Sequence, residues 1–132
     1  MDVFVYGTLT DPDRARSVVA DASFAGDATL YGLRRVDGAY PTLVPPGDGA
    51  DAAGAVEGRI LRTADVGSLD VYEGVERGLY RRVTVPSPRG PVALYVGDPA
   101  RLDAPGEWPC DGSFEERVDR FLRENDVRVE RD

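Results

Sequence analysis

Histidine and lysine are both absent from this 132-residue chain, and cysteine occurs once, as Cys110. Without histidine there is no Ser-His or Cys-His pair and no imidazole ligand, so no metal site is expected. Without lysine, Schiff-base chemistry and the lysine of a phosphate-binding P-loop are excluded. A single cysteine cannot close a disulfide within the chain. Nothing around Cys110 marks it as a nucleophile rather than a small core residue or a free thiol. No apolar run approaches the ~20 residues that cross a bilayer, and no basic-then-apolar leader opens the chain. A soluble, cytoplasmic protein with no membrane contact is therefore expected. Catalysis, if any, is left to carboxylates, tyrosines, arginines and main-chain amides.

All 16 basic residues are arginines, set against 24 acidic residues for a net charge of −8. With no basic stripe to neutralise phosphates, nucleic acid is not an expected partner. Aspartate outnumbers glutamate two to one. Two explanations stand side by side: adaptation to a salty cytoplasm, where screening removes self-repulsion, or a GC-rich genome that favours arginine codons. At 42% hydrophobic and 30% charged, the composition is that of a globular chain. The length suits one domain, expected over 1–125, with a charged tail at 126–132 that frays. No apolar stripe suggests a partner surface, so a monomer is expected.

Val3-Phe4-Val5-Tyr6 is β-branched and aromatic, the pattern of a strand buried on both faces. Gly7 follows and permits a backbone conformation that would strain other residues, and Asp11-Pro12 reads as a helix N-cap with proline at the first helical position. Strand, turn and helix start bring the amides of Gly7, Thr8 and Leu9 to where they converge on an anion, unless this is an ordinary βα connection.

Further along, Ala15, Val18 and Val19 mark a helix from Pro12 to about Ala22. Strands are expected over Ala28–Val36 with Gly32 weakening it, over Gly54–Arg62, over Leu79–Val85 with Tyr80, Arg82 and Thr84 on one face, and over Pro91–Val96 holding Tyr95. Gly38–Val44 is a short extended piece, because Pro41 pushes Tyr40 away from helix. Asp65 caps a short helix running to about Tyr72. Ser113 and Glu116 form a capping box before a last helix whose Phe114, Val118, Phe121 and Leu122 share one face. Pro45–Ala53 and Asp98–Gly112 are loops, and Gly47-Asp48-Gly49 lacks the context of a dinucleotide fingerprint. About six strands, mostly joined by short turns, with three helices predict an α+β fold: a small mixed β-barrel with peripheral helices.

Glu73 ends the short helix directly before Gly74. A carboxylate there opposes the helix dipole by ~0.3–1 kcal/mol. A residue at odds with its local environment is a candidate functional group, against the plain alternative of a solvated surface glutamate.

Tyr6-Gly7-Thr8-Leu9, Tyr40-Pro41, Leu69-Asp70 with Glu73-Gly74, and Tyr80 with Arg82, in this order and spacing, resemble the γ-glutamylcyclotransferase-like superfamily, including AIG2-like proteins and γ-glutamylamine cyclotransferases. The resemblance runs from about Val3 to Val96. It implies a compact β-barrel with flanking helices, a substrate-binding loop at Tyr6, Gly7, Thr8 and Leu9, a catalytic glutamate at Glu73, and pocket tyrosines at Tyr80 and Tyr95. Arg82 either holds Asp70 or meets substrate.

The implied reaction is intramolecular. The α-amine of a γ-glutamyl amine, peptide or amide attacks its own γ-carbonyl, closes 5-oxoproline and expels the attached amine, with no cofactor required. Amides of the loop would grip the α-carboxylate or the developing oxyanion. Glu73 would carry the proton from the attacking to the leaving nitrogen. A free glutamate and an α-amine differ by roughly 4 pKa units, or ~5 kcal/mol, so a working Glu73 is expected in a partly dry pocket with its pKa raised toward ~6–7. The readings of another class are a non-catalytic small-molecule-binding module of the same fold and a partner protein using its acidic surface. Trp108, in the 99–112 loop expected with Pro45–Ala53 to line the leaving side, either stacks on a ligand or covers the last helix half-buried.

Overall fold

The computed structural model describes residues 1–46, 54–109 and 111–131. Cys110, the Gly47-Asp48-Gly49 segment and most of the Pro45–Ala53 loop lie outside the described residues. The elements are β1 (Asp2–Val5), α1 (Pro12–Val18), β2 (Ser23–Tyr31), β3 (Arg34–Val36), β4 (Thr42–Val44), β5 (Ala55–Arg62), α2 (Val66–Tyr72), β6 (Tyr80–Val85), β7 (Val92–Gly97), α3 (Phe114–Glu124) and β8 (Arg128–Arg131). A single 3-10 turn, Thr8–Thr10, joins β1 to α1.

Six strands form one mixed sheet in the order β6-β7-β1-β5-β2-β8, and β3 pairs with β4 beside it. β1 is the hub, antiparallel to β5 with Phe4 opposite Ile60 and parallel to β7 with Val3 opposite Ala93. The sheet curls into a half-barrel. Its two ends approach where the Val129 N–H donates to the Pro86 carbonyl at 3.0 Å, so the edges are partly covered rather than left open. This is the expected α+β architecture.

The alternation of β1 explains why it sits centrally. Phe4 and Tyr6 point into the curl with Leu30, Ile60, Leu94 and Val96. Val3 and Val5 point to the opposite face, where Leu9, Ala15, Val19 and Leu69 cover them. Both faces of β1 are thus dry, and each buried side chain of this size contributes about 1.5–3 kcal/mol. α3 covers the first cluster, to which it gives the buried Val118 and against which its partly buried Phe114, Phe121 and Leu122 pack. The Ser113–Glu116 capping box forms as expected.

Three expectations are corrected. Of the expected 126–132 tail, the described residues 126–131 do not fray: Arg128–Arg131 pairs with β2, and Val127 and Val129 are buried. Its charges hid a two-residue apolar alternation, and Arg131 is anchored to Asp2 at 2.7 Å. The Ala28–Val36 strand begins earlier, at Ser23, and Gly32 at φ +100° splits it into β2 and β3. A Cβ at Gly32 would meet the Asp126 carbonyl at 2.5 Å, so β8's approach requires glycine there. Trp108 covers the last helix, as one of its two readings had it, but is fully rather than half-buried and does not line the cleft described below. It is 2% exposed and sits edge-on to Phe121 with ring centroids 5.4 Å apart.

Candidate active site

A cleft of about 590 Å³ opens where β1 ends, between the 3-10 turn, the Tyr40-Pro41 piece and the end of α2. Tyr6, Gly7, Thr8, Leu9, Glu73, Tyr80 and Tyr95 all line it. The seven residues proposed from sequence therefore share one hollow, although they come from four separate stretches of chain.

The loop is held in place from outside. Gly7 sits at φ −124°, outside the left-handed region. What its missing side chain provides is room, since a Cβ would meet Pro41 Cγ at 3.3 Å. Pro41 is in turn fixed by its carbonyl, which accepts the Tyr80 hydroxyl at 2.6 Å. The buried Thr42 Oγ1 accepts the Gly97 N–H at 2.7 Å and ties β4 to the end of β7. The first intrahelical bond of the turn is Thr10 N–H to the Gly7 carbonyl at 3.1 Å. The N–H groups of Gly7, Thr8 and Leu9 precede that bond and donate to no group among the described residues.

Glu73 is delivered by the end of α2. The Asp65 side chain caps the start of the helix by accepting the Ser68 N–H at 3.2 Å. At the other end the Gly74 N–H donates to the Val71 carbonyl at 3.1 Å and the Val75 N–H to the Asp70 carbonyl at 3.0 Å. With Gly74 at φ +69°, this is a Schellman ending that turns the chain sharply after Glu73. The Glu73 carboxyl accepts no hydrogen bond and meets no cation among the described residues. Burial pushes its pKa up from 4.5 to about 7.

The tyrosines are walls. Tyr6 donates its hydroxyl to the Tyr95 carbonyl at 2.6 Å, Tyr80 to the Pro41 carbonyl, and Tyr95 to Asp70 Oδ1 at 2.7 Å. Burial pushes all three phenols well above their ordinary value, and the nearby Glu73 charge pushes them further the same way. None ionises near neutrality. Asp70 also accepts both bonds from Arg82 Nη1, at 3.0 and 3.2 Å, so Arg82 holds Asp70, and through it the Tyr95 ring. Of the two roles left open for Arg82, holding Asp70 is the one its contacts show, and Arg82 does not line the cleft.

Sequence reasoning missed Arg14, Arg77 and Leu102, which also line the cleft. Leu102 is the sole contribution of the 99–112 loop to that lining among the described residues. The arginines carried no motif. Their only signal is position, each four residues beyond a functional element, Thr10 for Arg14 and Glu73 for Arg77. Tyr40 and Tyr72 complete the rim, at 62% and 37% exposed.

The model of the gamma-glutamyl cyclotransferase, AIG2-like family matches residues 3–110. The chain belongs to that family. AIG2-like protein A of Arabidopsis thaliana is 32% identical over 125 residues, covering 87% of this chain and 70% of the relative. A solved structure described as a gamma-glutamyl cyclotransferase superposes with a TM-score of 0.55 at 17% identity, covering 93% of this chain and 98% of its own. An uncharacterized human protein superposes with a TM-score of 0.60 at 16% identity, covering 91% and 96%. At such identities the two structures speak for the fold alone. Of the residues that carried the resemblance, Tyr6, Gly7, Thr8, Leu9, Tyr40, Pro41, Glu73 and Tyr80 line the cleft.

Proposed function

We propose that this protein is a γ-glutamyl cyclotransferase that releases 5-oxoproline from a γ-glutamyl amine, peptide or amide. The observation that carries the proposal is Glu73: a carboxyl with a pKa of about 7 in the same cleft as the free amides of the 3-10 turn. Ionised Glu73 takes a proton from the substrate α-amine as its nitrogen attacks the γ-carbonyl carbon. The carbonyl oxygen gains negative charge, and the N–H groups of Gly7, Thr8 and Leu9 are the donors available to it or to the α-carboxylate. Glu73 then returns the proton to the leaving nitrogen as the old C–N bond breaks. The products are 5-oxoproline and a free amine, and Glu73 ends as it began.

The magnitudes support this assignment. With Glu73 near 7, the gap to an α-amine near ~8 shrinks from roughly 4 units to about 1, lowering the cost of proton transfer by ~4 kcal/mol. Holding amine and carbonyl together in a near-attack geometry supplies much of the remaining acceleration, and the tyrosine walls limit the freedom of the γ-glutamyl group. The test is incubation of the purified protein with a panel of γ-glutamyl amines, peptides and amides and assay for 5-oxoproline. Release from at least one compound is expected, and release from none of them would contradict the proposal.

A further inference from the structure

The rim of the cleft carries charge that the reaction itself does not use. Nine arginines are engaged in ion pairs among the described residues, as expected for a chain with excess acid. Arg14 and Arg77 are not among them, and their guanidinium groups donate to nothing in the described structure. Both line the cleft and both are exposed. Arg77 folds back over the turn after Glu73, close enough that a Cβ on Gly74 would meet its Nη2 at 3.0 Å. Arg14 comes from the first turn of α1, beyond the 3-10 turn. Neither serves to hold Glu73 ionised, since burial alone governs that carboxyl.

The cleft also has a direction. Its inner wall is the buried Tyr6, Tyr80 and Tyr95, and its mouth is the exposed Tyr40, Tyr72, Arg14 and Arg77. A γ-glutamyl group whose amine must reach Glu73 in a dry setting occupies the inner part. The departing amine then extends toward the mouth, where the two unpaired cations stand.

We propose that Arg14 and Arg77 recognise a carboxylate on the leaving side of the substrate, so that γ-glutamyl amino acids and peptides are selected over γ-glutamyl derivatives of neutral or cationic amines. This rests on the cyclotransferase function proposed above. The leaving nitrogen, carbonyl and proton path are those already described, and the arginines contact only the distal carboxylate. Because both guanidiniums reach into solvent, each contributes a screened, modest preference rather than an absolute one.

A matched pair of compounds tests it: γ-glutamyl-alanine and γ-glutamyl-ethylamide, whose leaving amines differ only by the carboxylate. The quantity measured is the ratio of their kcat/KM values, which is internal to each variant and unaffected by how much of a preparation is folded. The parent protein is expected to prefer the alanine compound by about tenfold. The ratio should fall several-fold in Arg14→Gln and in Arg77→Gln, approach one in the double variant, and decline as salt is added. Release of 5-oxoproline from both compounds with a ratio near one, or with a ratio that neither replacement changes, overturns the carboxylate assignment and leaves the cyclotransferase function standing. Release from neither compound, when another γ-glutamyl compound of the panel is cyclised, overturns the carboxylate assignment alone, and release from no compound of the panel overturns both.

Discussion

Thr8 Oγ1 lies 2.9 Å from the Tyr72 hydroxyl, a contact that joins the 3-10 turn to the last residue of α2 across 64 positions of sequence. Tyr72 directly precedes Glu73, and Thr8 supplies one of the free amides. One hydrogen bond therefore links the acid–base group to the loop it is proposed to work with. Tyr72→Phe removes that link without removing the ring. A single hydrogen bond is worth ~0.5–1.5 kcal/mol, and this one is exposed, so kcat should fall about 2- to 10-fold, with little change in thermal stability. Steady-state kinetics on any accepted γ-glutamyl compound check this, and an unchanged kcat would show that the link does not position Glu73.

Glu73 also makes a prediction about stability, opposite in sign to most carboxylates. Its folded pKa of about 7 exceeds the unfolded value near 4.5, so the folded state holds a proton that the unfolded state has lost between those limits. Stability is therefore highest below about pH 4.5 as far as this group is concerned, and falls as pH rises through 7. Glu73→Gln lacks this dependence. Its stability relative to the parent protein should increase by about 2–3 kcal/mol between pH 5 and pH 8, as measured by denaturant unfolding at both pH values. The absence of such an increase would show that Glu73 is not held in a dry site.

Asp70 anchors two groups at once, the Tyr95 hydroxyl and the Arg82 guanidinium. Asp70→Ala leaves the buried Tyr95 hydroxyl without its acceptor and should cost about 1–3 kcal/mol. Arg82→Gln breaks only a partly exposed ion pair and should cost less, ~0.2–1 kcal/mol. Comparing the two unfolding free energies tests whether Tyr95, rather than the ion pair, is what Asp70 chiefly supports.

Val129 is fully buried where the half-barrel nearly closes. Val129→Ala should destabilise the fold by about 1–2 kcal/mol, while Arg128→Ala, on the solvent side of the same strand, should cost well under ~1 kcal/mol. Equal effects would mean that β8 is held by its charges rather than by its alternating valines.

Where local chemistry dominated, the sequence was legible. The uncharged run Val3–Tyr6, the capping box at Ser113 and the alternation through Gly54–Arg62 each announced an element that the structure contains. Glu73 stood out because a carboxylate before Gly74 makes no sense for the helix alone. What escaped was decided by tertiary contact. Gly32 splits a strand because the Asp126 carbonyl passes against it, and β8 was masked by arginines and acids flanking Val127 and Val129. Gly7 was read for its backbone freedom alone, and the space its missing side chain leaves for Pro41, a residue 34 positions away, was not legible. Arg14 and Arg77 had no motif at all, because being unpaired at a rim is a property of the fold and not of a segment.

The central claim is that Glu73 carries the proton. The most direct measurement is the rate of 5-oxoproline formation by the parent protein and by Glu73→Gln, from pH 5 to 9, on a substrate the parent protein accepts. The parent kcat/KM should rise with pH around an apparent pKa of about 7, and Glu73→Gln should lose about 10²–10⁴ of the rate while still binding substrate. A Glu73→Gln protein that turns over substrate at the parent rate, or that shows the same rise near pH 7, would contradict the account.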